Sequence, residues 1–173
     1  KKDEQVPLLD CFTAPCKGGC PIEQDIPEYL ELCRKGLYGP ALKLITEKNA
    51  LPFITGTISR TAASKCSRNF YEKSVHIRET KLLAAEKGYN TLNASLRMPE
   101  PVEDKGAIVG GGPTGIAAAY FLGREGVPTT IFERERKLEI YCQARYDLMA
   151  SFEYDGIEQF KPYPTYVVPC VGY

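Results

Sequence analysis

Apolar residues recur at helical spacing in the first part of the chain. The first such segment carries an apolar face made of Ile26, Tyr29, Leu30 and Cys33. Asp25 stands where a residue that caps the N-terminus of this helix is expected, and Gly36 stands where the helix should end. Because Cys33 lies on the apolar face, we expect it to be a packed core thiol.

Two more helices are predicted before residue 97. The second runs from about Pro40 to Lys48, and the third runs from about Val75 to Lys87 and ends at Gly88. Between them Pro52 and Gly56 interrupt the pattern, which predicts an irregular crossing. The first half of the chain is therefore expected to be mainly α-helical.

The pattern changes after residue 97. Prolines alternate with acidic residues over 98–105, which favours an extended linker. Short apolar runs at 107–109 and 129–132 predict a buried strand and a second strand, whereas the tail after residue 138 has no clear periodicity. We thus predict a mainly α-helical domain over 1–97, a linker over 98–105, and a partial α/β domain of Rossmann type with an irregular tail over 106–173.

Charge and composition exclude two classes of function. Lysine plus arginine and aspartate plus glutamate number 22 each in 173 residues, so the formal net charge is zero. This balance lacks the broad positive field on which nucleic-acid binding relies, so no nucleic-acid partner is expected. No apolar run approaches the roughly 20 residues that cross a bilayer, and we expect no membrane span.

A glycine loop follows the first predicted strand. It contains Gly110, Gly111, Gly112, Pro113, Thr114 and Gly115, which satisfy the pattern G-x-G-x-x-G. In this pattern the glycines allow a tight turn, close approach to a pyrophosphate, and close packing of helix on sheet. Glu133 lies 18 residues after Gly115 at the end of the second strand, where an acid would accept hydrogen bonds from ribose hydroxyls. The loop therefore predicts a site for FAD or NAD, although a glycine-rich turn in an unrelated α/β unit is the simpler alternative.

Seven cysteines are many for this length, and three of them lie close together. They form the run Cys11-x4-Cys16-x3-Cys20, and Pro21 follows it. Thiolates at this spacing, with proline after the last one, favour an iron–sulfur cluster in a reducing, cytoplasmic environment. Zinc is a second possibility, although it more often uses x2 pairs, and three unliganded thiols are a third.

The motifs together resemble a known family. They follow the order Cys11 to Tyr29, Asn49 to Gly56, Lys65 to Phe70, and then the glycine loop. The chain resembles the N-terminal part of the glutamate synthase small subunit and the related N-terminal module of dihydropyrimidine dehydrogenase, and most of all bacterial selenate reductase subunits of that group. The resemblance implies two [4Fe-4S] clusters in a helical ferredoxin-like domain, then an FAD domain and an NADPH domain. It further implies that electrons pass from NADPH through FAD and the clusters to a partner active site.

The chain departs from this family at several cluster ligands. Ser59, Ala62 and Ala63 occupy the stretch in which the family carries further cysteines, and Leu8 and Leu9 occupy an earlier ligand position. The glutamine or glutamate ligand of the family falls near Lys81, whose ammonium cannot coordinate iron. Four plausible ligands remain: Cys11, Cys16, Cys20 and Cys66. They are enough for one [4Fe-4S] cluster and not for two.

Two functions follow from these patterns. The first is an electron-transfer subunit or fragment of an iron–sulfur flavoprotein oxidoreductase, which passes electrons between NAD(P)H, FAD and a [4Fe-4S] cluster. The alternative is a redox-inactive fragment that retains the fold as a partner-binding module. The expected partner is a larger catalytic subunit, or further domains of the same polypeptide.

Overall fold

A computed structural model describes residues 13–97, 99–133 and 165–169. The chain divides into two compact units. One contains Lys1–Lys48 and Pro52–Gly88, and the other contains Asn49–Leu51 and Tyr89–Tyr173.

The first part of the described chain is helical, and the second contains a parallel sheet. The elements, in chain order, are α1 (Pro15–Gly18), α2 (Ile26–Arg34), α3 (Tyr38–Thr46), α4 (Pro52–Ile58), α5 (Thr61–Ser64), a 3-10 helix (Ser67–Phe70), α6 (Ile77–Ser95), β1 (Gly106–Val109), α7 (Pro113–Arg124), β2 (Thr129–Glu133) and β3 (Thr165–Pro169). None of the helices within the described residues combines the length and the apolar character needed to cross a bilayer. A mostly helical first part followed by a small parallel sheet confirms the coarse order of the prediction, and the Rossmann-type fold stays a prediction.

Helix α2 begins and ends near the predicted residues, but Asp25 does not cap it. The Asp25 side chain makes no capping hydrogen bond. Its carboxylate instead binds the ammonium groups of Lys17 and Lys48. Two full charges outcompete the backbone N–H groups for this carboxylate, so the prediction of a capping role was wrong. At the other end Gly36 has φ of 75° and closes the helix as predicted.

Two glycines that were interpreted as breaks lie inside helices. Gly56 is part of α4, and Gly88 is in the interior of α6, which continues to Ser95. A Cβ at Gly56 would lie 2.9 Å from backbone atoms of Leu82, and one at Gly88 would lie 2.4 Å from the Tyr38 carbonyl oxygen. These glycines permit close packing between helices, so the predicted crossing and the predicted end at Gly88 were both wrong.

The core of the helical unit is built around α2. Its buried members are Cys20, Ile26, Tyr29, Cys33, Ala41, Ile45, Ala62, Ile77 and Ala84. Tyr29 is fully buried, and its hydroxyl donates a hydrogen bond of 3.2 Å to the Ile77 carbonyl oxygen, which connects α2 to the start of α6. Cys33 is 8% exposed, which confirms it as a core thiol.

The sheet of the second unit has the order β1-β2-β3, with both pairings parallel. β2 is central, and its Ile131 is buried. β1 is not buried on both faces as predicted, because Val109 is 91% exposed. The tail is not wholly irregular, since Thr165–Pro169 forms β3. Its continuous run of aromatic and β-branched residues is typical of parallel strands, in which apolar and polar residues do not alternate.

A short stretch from between α3 and α4 belongs to the second unit. Ala50 is buried together with Ile116 and Tyr120 of α7, and Leu51 packs against the same group. The Asn49 side-chain oxygen accepts a hydrogen bond of 3.0 Å from the Leu51 N–H, which holds the stretch in a tight turn. Residues 49–51 therefore form part of the surface against which α7 packs.

Candidate cofactor sites

The glycine loop connects β1 to α7 in the geometry of a phosphate-binding turn. Gly110 has φ of 103°, a conformation that favours glycine, and its N–H donates to the Phe132 carbonyl oxygen at 2.8 Å. A Cβ at Gly115 would lie 2.0 Å from the Gly110 carbonyl oxygen. Only glycine at position 115 therefore lets the first turn of α7 pack on the loop.

The start of α7 is open for a ligand. A Cβ at Gly110 or Gly112 would meet nothing within 4 Å, and no side chain caps the helix at Gly112. Pro113 occupies the first turn, where its missing N–H costs nothing, and the Thr114 side chain is exposed. The backbone N–H groups and the positive end of the helix dipole there favour a phosphate. Gly111, by contrast, is buried.

Glu133 is the last residue of β2 and lies near the glycine loop in the register of the sheet. Val109 pairs with Phe132 in the parallel sheet, and Glu133 is the next residue of β2. Because Gly110 bonds to the Phe132 carbonyl, the backbone of Glu133 lies at the same end of the sheet as the glycine loop. The ribose-binding role of Glu133 stays a prediction.

The structure brings the segment that carries Cys16 and Cys20 next to the segment that ends at Cys66. Helix α1 packs against α5, and a Cβ at Gly19 would lie 2.5 Å from Cγ of Lys65. Cys20 and Cys66 are buried, and Cys16 is partly buried. Burial raises the pKa of the Cys16 thiol, and the charges of Cys66 and Cys20 raise it further. The prediction for Cys11 falls outside the described residues.

The donor set decides which metal group fits. Within residues 13–97, 99–133 and 165–169, no three His, Cys, Asp or Glu side chains lie close enough together to hold one metal ion. The described thiols thus give no support to a single zinc ion. A [4Fe-4S] cluster binds each thiolate on a different iron, so its ligands stand farther apart. The ligand set of Cys11, Cys16, Cys20 and Cys66 for one such cluster stays a prediction.

A second cluster does not fit this donor set. Ala62 is buried in the helical core together with Cys20, and the Ser64 hydroxyl donates to the Thr61 carbonyl oxygen at 2.7 Å. Neither Ser59 nor Ala63 supplies a thiolate. Side chains without thiolates therefore stand where the resemblance implies the second ligand group.

Lys81 is the residue whose placement the sequence analysis missed. It is 5% exposed and lies in α6 four residues after the buried Ile77. Burial lowers the pKa of the Lys81 ammonium, and the nearby charge of Cys20 acts in the opposite direction. The buried stripe of Ile77, Ala84, Ala85 and Leu92 passes through position 81 at helical spacing, and this signal could have found it.

The comparisons with known proteins identify both halves of the chain. A profile of the family described as dihydropyrimidine dehydrogenase domain II, 4Fe-4S cluster, matches residues 4–91, and a profile of an FAD binding domain matches residues 104–154. The oxidoreductase YgfK of Escherichia coli K12 is 45% identical over 139 residues, which cover 76% of this chain and 13% of the relative. The NADPH-Fe(3+) oxidoreductase subunit beta of Geobacter sulfurreducens is 35% identical over 128 residues, which cover 73% of this chain and 19% of the relative.

A third relative is a glutamate synthase subunit. The glutamate synthase [NADPH] small chain of Mycobacterium tuberculosis is 31% identical over 132 residues, which cover 75% of this chain and 27% of the relative. The chain thus spans between about one eighth and about one quarter of these relatives. The two matched profiles name [4Fe-4S] and FAD as the cofactors, as the sequence predicted. The chain belongs to the dihydropyrimidine dehydrogenase domain II family of [4Fe-4S] proteins.

Proposed function

We propose that this chain is the electron-transfer part of an iron–sulfur flavoprotein oxidoreductase of the NAD(P)H-dependent kind. One observation carries the proposal. The same chain packs the Cys16–Cys20 segment against the segment that ends at Cys66, and places a glycine loop beside the end of β2. The first arrangement suits a [4Fe-4S] cluster, and the second suits FAD.

The helical unit would hold one cluster through Cys11, Cys16, Cys20 and Cys66. When bound, this group takes up and releases single electrons. The chain itself would keep water from the sulfur ligands, since Cys20 and Cys66 are 8% and 9% exposed. Exclusion of water and hydrogen bonding near the sulfurs set the potential of such a group.

The second unit would hold FAD in a Rossmann-type site. Gly110, Gly112 and Gly115 would let the pyrophosphate approach α7, and Glu133 would accept hydrogen bonds from the ribose. FAD, when bound, exchanges electron pairs with a nicotinamide and single electrons with the cluster. NADPH binding and the final acceptor would reside in further domains of the same polypeptide or in a larger catalytic subunit in the cytoplasm.

A second candidate function rests on the lost ligands. Ser59, Ala62 and Ala63 leave the second ligand group without thiolates, so the chain could keep the fold and carry no redox centre. It would then act as a partner-binding module. Iron content separates the two candidates directly.

The test is anaerobic reconstitution with iron, sulfide and FAD, followed by metal analysis and absorption spectroscopy. We expect about four iron atoms per chain, as one [4Fe-4S] cluster requires, together with flavin absorbance. Cys16→Ala should lose most of this iron, whereas Cys33→Ala, a matched change of a core thiol outside the predicted ligand set, should keep it. Absence of iron from the wild-type chain would favour the redox-inactive module, and about eight atoms would contradict a single cluster.

A further inference from the structure

Lys81 is a buried cation for which the structure provides no ordinary partner. Only 5% of its surface is exposed. Its ammonium makes no hydrogen bond or ion pair with any residue in the described parts of the chain. Burying an ammonium without an anion is strongly unfavourable, so a nearby negative charge would stabilise the charged form of Lys81.

No carboxylate of the described helical residues forms an ion pair with Lys81. Asp25 is engaged by Lys17 and Lys48. Glu79, two residues before Lys81, pairs with Arg78 and is half exposed. Ile77 and Ala84 flank Lys81 at helical spacing on α6, and both pack in the same core as Cys20. A negative charge at Cys20 opposes the lowering of the Lys81 pKa that burial causes.

The surroundings of Cys20 and Lys81 contain thiols and apolar groups. Cys20 is 8% exposed and shares the helical core with Ala62, Ile77 and Ala84. Tyr29 also lies there, but its hydroxyl donates to the Ile77 carbonyl oxygen. Among the described residues, the anion that remains for the ammonium is therefore a sulfur: that of Cys20, or the cluster to which it would be bound.

We propose that Lys81 is the counter-charge of the iron–sulfur centre at Cys20, and that it makes this centre easier to reduce. This inference rests on the proposed function, since it requires one [4Fe-4S] cluster in the helical unit. Four thiolates give such a cluster a net negative charge, which grows when an electron is added. A fixed positive charge in a dry environment stabilises the reduced form more than the oxidised form.

The same reasoning predicts opposite effects in the two states of the protein. Without the cluster, Lys81→Met removes a buried charge and keeps its volume, so the melting temperature should rise. With the cluster, the same change removes the counter-charge, so the reduction potential should become more negative. Substituting a residue that served packing alone would not both raise the melting temperature without the cluster and lower the reduction potential with it.

The experiment uses the full chain, reconstituted with iron and sulfide, and measures the potential by spectroelectrochemistry. At a fixed potential we expect Lys81→Met to lower the ratio of reduced to oxidised cluster by roughly tenfold or more, as Coulomb's law with an effective dielectric constant near 20 indicates. Lys81→Arg keeps the charge and should stay close to wild type. Lys73→Met removes an exposed lysine and serves as the matched control.

The outcomes separate this inference from the proposed function. A wild-type chain that takes up no iron overturns both. A wild-type chain that takes up iron, while Lys81→Met keeps the wild-type potential, overturns the role of Lys81 alone. If Lys81→Met does not fold, Lys81→Leu replaces it, and an unchanged potential in that variant is equally decisive.

Discussion

Substituting alanine at two glycines of the same loop should separate folding from cofactor binding. At Gly115 a Cβ would lie 2.0 Å from the Gly110 carbonyl oxygen, 3.1 Å from the Gly110 carbonyl carbon and 3.2 Å from Cγ2 of Ile108. Ordinary contact begins at 3.4 Å, so the loop or the helix must move by about 1.4 Å. Overpacking of this kind costs ~1–3 kcal/mol.

Gly112 offers the contrasting case. Its φ is −71°, which any residue adopts, and a Cβ there would meet nothing within 4 Å. Gly112→Ala should therefore leave the fold intact and place a methyl group where the pyrophosphate must approach. Gly115→Ala should instead lower the melting temperature of its unit by at least about 4 °C, given roughly 4–8 °C per kcal/mol in a small domain.

The assay combines thermal unfolding with titration of FAD fluorescence. We expect Gly112→Ala to weaken FAD binding at wild-type stability, and Gly115→Ala to reduce both. Gly18→Ala is the control, since a Cβ there also meets nothing within 4 Å and the residue lies outside the loop. FAD affinity that Gly112→Ala leaves unchanged would refute the placement of the pyrophosphate over this loop.

Two further predictions concern the helical unit. The hydrogen bond from Lys17, and then that from Lys48, holds the pKa of Asp25 below its usual value of 3.8. The stability that these ion pairs of Asp25 contribute is therefore present above pH 3.8 and is lost as the pH falls through the lower folded pKa. The free energy of unfolding should then fall less steeply with acid in Asp25→Asn than in the wild type. Parallel acid titrations of the two proteins would contradict this. Gly88→Ala should destabilise the unit in urea unfolding, although alanine normally stabilises a helix interior by about 1 kcal/mol, because its Cβ would lie 2.4 Å from the Tyr38 carbonyl oxygen. An unchanged or raised midpoint would show that the two helices separate easily.

The sequence was most informative where one residue type is required by local geometry. The spacing of Gly110, Gly112 and Gly115 predicted a strand, a turn and a helix. Gly110 has a positive φ, and Gly115 packs on the Gly110 carbonyl oxygen, so both requirements arise within a few residues. The sequence was least informative where the requirement for a residue type comes from packing against a distant part of the chain. Glycine is typical of helix breaks, so Gly56 and Gly88 were predicted to interrupt helices. The close approach of the Leu82 and Tyr38 backbones shows that both are packing positions.

Charge was misjudged for the same reason. Asp25 has the sequence context of a cap, but Lys48, 23 residues away, binds its carboxylate. Lys81 was interpreted only as a residue that cannot bind iron. Its burial depends on the packing of α6 against the rest of the helical unit, which periodicity could suggest and only the structure could place.

The position of residues 49–51 has a practical consequence for dividing this chain. A fragment that begins at the proline-rich linker would contain α7 but lack Ala50 and Leu51, which cover Ile116 and Tyr120. Those apolar side chains would then face water directly after the glycine loop, and such a fragment should aggregate or bind nucleotide poorly. Expression of the nucleotide-binding part thus requires the turn at 49–51 to be kept, for example by permuting the chain so that this turn is retained.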